Sequence, residues 1–209
     1  MNKSLIKTAS ALFPNQVTSF AYKRLTNPYV KKLRENELAT LDKAKKEKFN
    51  FKGFEIQLYT WAGGPKEVLL VHGWEGQAGN FSDLIERLRE ENYTIYAFDG
   101  PSHGFSSKGK TSLFEFTELV GILVEKYQVK NIVSHSFGGV ATTYALNQNR
   151  HLQIEKYALL TTPDRFVERI DDVINSLGIT QKVKRKLIAK LETEINMNFE
   201  TLNVSDFVN

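Results

Sequence analysis

Residues 131–146 read NIVSHSFGGVATTYAL, which sets Ser136 between an apolar run and a pair of glycines. A serine hydroxyl is a weak nucleophile unless it is held exposed and beside a base. A strand that turns sharply into a helix is one way to hold it. Such a turn strains the serine backbone and crowds strand against helix, so the residues two positions away on either side must be small. Ser134 and Gly138 meet that demand, and Gly139 lets the helix pack closely. The N–H of Phe137, at the start of the helix, would face a developing oxyanion. Small-x-Ser-x-Gly alone also fits a turn without chemistry; its place between a strand and a helix favours the chemical reading.

Two earlier stretches add to this. In LLVHGWEG (69–76) a strand ends on His72-Gly73, and a tight turn there could aim the Trp74 N–H at the same oxyanion. His72 reads better as a residue pinning the loop than as a base, because it sits on the oxyanion side. FDGPSHGFS (98–106) is a Gly- and Pro-rich loop at the carboxyl end of a strand, where ligands of parallel sheets bind. Its Asp99 and His103 are expected to organise the loop rather than to form a metal site or an acid–base pair. No cofactor or metal site is read from the sequence.

The elements that must position these residues alternate. FNFKGFEIQLYTWAGG (49–64) reads as a strand hairpin about Gly53. EVLLVHG, YTIYAFDG, KNIVSHS and YALLTTP read as strands, and NFSDLIERLREE, SLFEFTELVGILVEKY and VATTYALNQ as the helices between them. That order predicts an α/β fold, a mostly parallel sheet with helices on both faces. Residues 1–48 are expected to be an N-terminal helical segment broken at Pro14 and Pro28, and 49–162 the core. Residues 163–203 are expected to form a helical cap over the carboxyl ends of the strands, and 204–209 to begin a further part. The cap carries two apolar stripes, Phe166, Ile170, Val173, Ile174 and Leu177, then Val183, Leu187, Ile188, Leu191 and Ile195.

The 209 residues are 41% hydrophobic, enough for one sizeable core. With no cysteine, disulfides, thiolate catalysis and Cys-based zinc sites are excluded. No apolar run approaches the length of a membrane span, and the start lacks a convincing cleavage site, so a cytoplasmic protein is expected. Residues 1–50 hold eleven Lys/Arg against four Asp/Glu. Such a segment suits an anionic membrane surface or nucleic acid; the plainer account, a solvated helical face, is preferred because no nucleic-acid motif accompanies the charge, and no nucleic-acid partner is expected.

Taken in order, His-Gly, Asp-x-Pro-x-His-Gly-x-Ser and x-His-Ser-x-Gly-Gly resemble the α/β-hydrolase fold family over about residues 49–162. The resemblance implies Ser136 as nucleophile and the Trp74 and Phe137 amides as an oxyanion hole. His72, Gly73, His135, Phe166 and Leu177 are expected around the substrate. Two positions depart from the family pattern: Ser134 replaces the first glycine of the elbow, and Ser102 the glycine of the Pro-Gly-His-Gly loop. Both are small, so tolerance is expected. A serine at 136 argues against the aspartate-dependent dehalogenases and epoxide hydrolases. It favours cleavage of an ester, thioester or amide through an acyl-enzyme, with a small acyl substrate. The family orders its triad Ser, Asp or Glu, then His, and here only His151 follows Ser136, at the far end of the elbow helix. The expectation is therefore that the strands bearing acid and base are absent from this sequence, either because the reading frame is cut short or because they are encoded separately, a second polypeptide then supplying them. The alternatives are a non-catalytic binding module on the same fold and a basic-surface binder acting through residues 1–50 or the helix at 182–190.

Overall fold

The computed structural model describes residues 3–195 and 203–207. The chain divides into two compact units, residues 28–162 and residues 1–27 with 163–209. The helices are α1 (Lys3–Leu12), α2 (Pro14–Thr26), α3 (Glu35–Asp42), α4 (Ser82–Glu90), α5 (Leu113–Tyr127), α6 (Phe137–Gln148), α7 (Phe166–Leu177) and α8 (Gln181–Ile195). The strands are β1 (Lys45–Phe51), β2 (Phe54–Trp61), β3 (Lys66–Val71), β4 (Tyr93–Asp99), β5 (Asn131–His135) and β6 (Lys156–Leu160).

Residues 28–162 carry all six strands in the spatial order β1-β2-β4-β3-β5-β6. β1–β2 and β2–β4 run antiparallel; β4–β3, β3–β5 and β5–β6 run parallel. The expected α/β architecture is thus present, as a mostly parallel mixed sheet. Alternation along each strand sends side chains to opposite faces. Val68 and Leu70 of β3 and Ile95 and Ala97 of β4 pack with Trp61, Leu41 of α3 and Ile85 of α4 in one core. On the other face Phe98 meets Phe116 of α5 at 5.6 Å between ring centroids, and Phe116 meets Phe137 of α6 at the same distance. The indole N–H of Trp61 donates to the Thr40 carbonyl at 3.1 Å, tying α3 to the sheet.

β1 begins at Lys45, four residues before the expected hairpin. Its first residues, Lys45 to Lys48, are exposed, because an edge strand there needs no apolar face. Lys52 and Gly53 turn the hairpin with φ of 46° and 82°, both positive as a two-residue hairpin turn with the right twist requires.

Residues 28–34 form no helix or strand and run against the loop after β3. The Tyr29 N–H donates to Glu75 Oε1 at 3.2 Å, and Gln77 Nε2 to the Lys31 carbonyl at 2.7 Å. Leu33 lies so near Gly79 that a methyl group there would touch both its terminal carbons.

The other unit is helical. Ile170 and Ile174 of α7 and Val183 and Leu187 of α8 are buried, as the apolar stripes imply. Gly178, φ 73°, ends α7 in a left-handed cap. α2 packs on α8, where Lys186 donates to Asn15 Oδ1 at 2.7 Å and the Lys190 ammonium stands 4.1 Å from the Tyr22 ring centroid. The leading residues therefore divide between the units, α1 and α2 falling with the trailing helices and α3 with the sheet.

Candidate active site

β5 delivers Ser136 to the turn that opens α6, where its backbone takes φ 51° and ψ −123°. A residue with a side chain reaches that region only when its surroundings over-determine it, at a cost of about 1–3 kcal/mol. Those surroundings are visible. The Ser136 N–H donates to the Leu160 carbonyl at 2.9 Å, and the Ser136 carbonyl accepts from the Gly139 N–H at 2.8 Å. A methyl group at 138 would collide with the carbonyl oxygens of His72 and Val71, so only glycine lets α6 start against the end of β3. At 139 it would strike the Thr162 side chain.

The loop after β3 closes on the same point. A methyl group on Gly73 would stand 3.2 Å from Ser136 Cβ and from His135 Nδ1. The turn Gly73–Gly76 is fixed by the Gly76 N–H on the Gly73 carbonyl at 3.0 Å, with Glu75 at φ 60°. The Trp74 ring lies 5.1 Å from that of Phe137. Trp74 and Phe137, the residues whose amides were expected to face an oxyanion, thus flank the serine.

A cleft of about 500 Å³ adjoins the turn, lined among others by Tyr29, Gly73, Trp74, Phe81, His135 and Leu160. Ser136 is half-buried and His135 exposed. The site residues expected from β3 and β5 are therefore brought together. Leu177 belongs to the helical unit, half-buried, and is not among the residues lining this cleft. The Phe166 side chain lies outside the described part of the structure.

Two histidines are fully engaged elsewhere. His72 donates from Nδ1 to the Gly73 carbonyl at 2.7 Å and accepts at Nε2 from the Gly100 N–H at 2.9 Å. His103 donates from Nδ1 to the Pro101 carbonyl at 2.8 Å and accepts at Nε2 from the Glu75 N–H at 3.2 Å. Each bond pair demands a neutral ring, and burial holds both pKa values below the ordinary histidine range, His103 far below it. Asp99 is equally committed. Its Oδ1 accepts from the Ala78 N–H at 2.8 Å, and its Oδ2 from the Tyr59 hydroxyl at 3.0 Å and the Phe105 N–H at 2.8 Å. Burial first, and then Asp99, push the Tyr59 hydroxyl pKa up. His72, Asp99 and His103 thus organise the loops behind the site, both ring nitrogens of each histidine being engaged. His151 lies past the end of α6, exposed. Among the described residues no cluster of three His, Asp or Glu side chains could hold a metal ion.

Tyr157 went unnoticed in the sequence. From β6 its hydroxyl accepts from Ser134 Oγ at 2.9 Å, donates to the Gly139 carbonyl at 3.0 Å and meets Thr143 Oγ1 at 3.2 Å. The departure from glycine at 134 is thereby used: the added hydroxyl of Ser134, itself fully buried, is satisfied by a strand-to-strand bond across the elbow. A polar residue on a strand beside a buried small one was the only sequence signal.

The sheet order, the strained serine between β5 and α6 and the paired loop after β3 define a class of fold that comparison with known proteins identifies. The alpha/beta hydrolase fold family model matches residues 66–194, and the chain belongs to that family. It is 32% identical over 108 residues to a pimeloyl-[acyl-carrier protein] methyl ester esterase of Xanthomonas campestris, covering 52% of this chain and 41% of that protein. It is 36% identical over 95 residues to the uncharacterized hydrolase YugF of Bacillus subtilis, covering 43% and 34% respectively. The match thus spans less than half the length of these relatives. Among solved structures, the thioesterase domain from the curacin biosynthetic pathway superposes with a TM-score of 0.53 at 20% identity, over 78% of this chain and 67% of that domain. An epoxide hydrolase from Vigna radiata does so with a TM-score of 0.51 at 21% identity, over 66% and 48%. At these identities the superpositions speak for the fold alone.

Proposed function

We propose that the chain is the nucleophile-bearing part of a serine hydrolase that cleaves an ester, thioester or amide. The observation that carries this reading is the backbone of Ser136, held at φ 51° next to His135, which lines a cleft with Gly73 and Trp74. Strain of this kind persists where exposure of the side chain is needed. In the reaction Ser136 Oγ attacks the substrate carbonyl carbon as a base takes its proton. The carbonyl oxygen gathers charge opposite the Trp74 and Phe137 amides, and the leaving group departs with a proton returned from the base. Water then frees the acyl group from Ser136 by the same steps. The esterase name of the Xanthomonas relative agrees with an ester as substrate, and Trp74, Phe81 and Leu160 suit an apolar acyl chain.

The engagement of both ring nitrogens in His72 and His103 favours a second reading, a pocket that binds acyl compounds without turning them over. A fluorophosphonate probe separates the two. Covalent labelling of the wild-type chain, located at Ser136 by mass spectrometry and lost in Ser136→Ala, is expected. Absence of labelling under conditions where an ester still quenches Trp74 fluorescence would establish the binding module instead. Turnover of a short p-nitrophenyl ester is expected to be low, because loss of the base of a serine triad costs about a millionfold.

A further inference from the structure

We propose that the α1–α2 pair is an interfacial anchor that lays this protein on an anionic phospholipid surface. The proposal does not depend on catalysis at Ser136. Four large apolar side chains of this segment are exposed: Leu5 69%, Leu12 67%, Phe13 55% and Phe20 41%. Their spacing is ordered. Leu5 and Leu12 stand seven residues apart, two turns along one face of α1, and Phe13 and Phe20 repeat the same interval into α2. Leu12 and Phe13 are neighbours at the corner, so the two stripes join there. Ser10 on α1 and Val17, Thr18 and Ala21 on α2 do the packing.

The charge on the same segment selects the occupant. Residues 1–27 include Lys3, Lys7, Lys23 and Arg24 and not one Asp or Glu. On the helical wheel Lys23 and Arg24 flank Phe20, whereas Lys7 lies on the far side of α1, roughly 150° from Leu5 and Leu12. Among the described residues Lys23 makes no ion pair, whereas Lys43, Lys45, Lys46 and Lys48, just down the chain, each pair with a carboxylate. Protruding Leu and Phe with basic side chains beside Phe20 are the parts of a helix that lies in a lipid headgroup region, apolar side chains inserted and cations against phosphates. Among the described residues no helix is long and apolar enough to cross a membrane. A solvated face, expected from charge alone, accounts for the lysines and leaves Leu5, Leu12 and Phe13 without a role.

The test is flotation of the full chain with vesicles of phosphatidylcholine alone, or with about a third phosphatidylglycerol. Binding to the anionic vesicles is expected, weakened by raised salt and slight on neutral ones. Leu12→Ser with Phe13→Ser should weaken binding roughly tenfold or more. Lys23→Gln should weaken it about fivefold, and Lys7→Gln, on the far side of α1, less. All four positions are exposed, so thermal melting should not move. Equal binding to both vesicle types, no binding, or variants that bind like the parent would overturn the proposal. So would tighter, salt-sensitive binding to a DNA duplex, or a dimer in solution that the Leu12→Ser, Phe13→Ser pair dissociates, each of which assigns the face to a different occupant.

Discussion

His72 and His103 give the fold a pH limit. Both rings are buried and neutral, with folded pKa values below the usual 6.5. In the unfolded chain they titrate near 6.5, so below that pH the unfolded state takes up protons the folded state refuses. The stability they contribute is complete above about pH 6.5 and is lost as pH falls towards the folded values, by about 1.4 kcal/mol per pH unit for each ring. Thermal melting followed from about pH 7.5 to 5 should show this slope, and His103→Gln should roughly halve it. A melting temperature flat across that window would mean that the rings are not held neutral. Tyr157 offers a second test at the same scale. Tyr157→Phe leaves the buried hydroxyl of Ser134 without its partner and should cost about 1–3 kcal/mol. In the Ser134→Gly background the same change should cost less, since the hydroxyl to be satisfied is gone; equal costs would disprove the coupling.

The elbow that joins β5 to α6 depends on the absence of a side chain at 138. Gly138→Ala drives a methyl group into two backbone carbonyls that cannot rotate away, and should destabilise by about 1–3 kcal/mol or prevent folding. A chemical-denaturation midpoint equal to the parent's would show that α6 can start elsewhere. Much of this element was legible in the sequence, because a strained turn constrains residue size and size can be read directly. The roles of His72 and His103 were legible too, from their places in turn-forming loops. β1 was read short because Lys45 to Lys48 have no alternation, an edge strand being free to be polar. The course of residues 28–34 was hidden because their bonds go to residues more than forty positions away, and no local pattern encodes such a contact. Tyr157 was missed for the same reason: its bond to Ser134 exists only once β6 is paired in register with β5.

One sheet margin is far more polar than the other. β1 closes the sheet with lysines and a glutamate, whereas β6, at the opposite margin, presents Lys156 at its start and then Ala158 and Leu160 on the same open face. An edge with so little charge is a template for pairing with other chains. Ala158→Lys, which sets a charge on that face away from the cleft, should lower light scattering at high concentration without moving the melting temperature. Unchanged scattering would show that association arises elsewhere, with the exposed Leu12 and Phe13 the next positions to examine.

The dihedral angles of Ser136 bear on ancestry as well as on chemistry. At φ 51° a glycine would sit with less strain than any residue bearing a β-carbon. Ser136→Gly should therefore melt above Ser136→Ala, by the equivalent of about 1 kcal/mol. A lineage that had given up turnover would gain by drifting to glycine at this position, and nothing in the packing would resist it. That the codon still specifies serine is what continued selection for its hydroxyl would leave behind. Glycine at this position in close relatives would signal that the selection had lapsed.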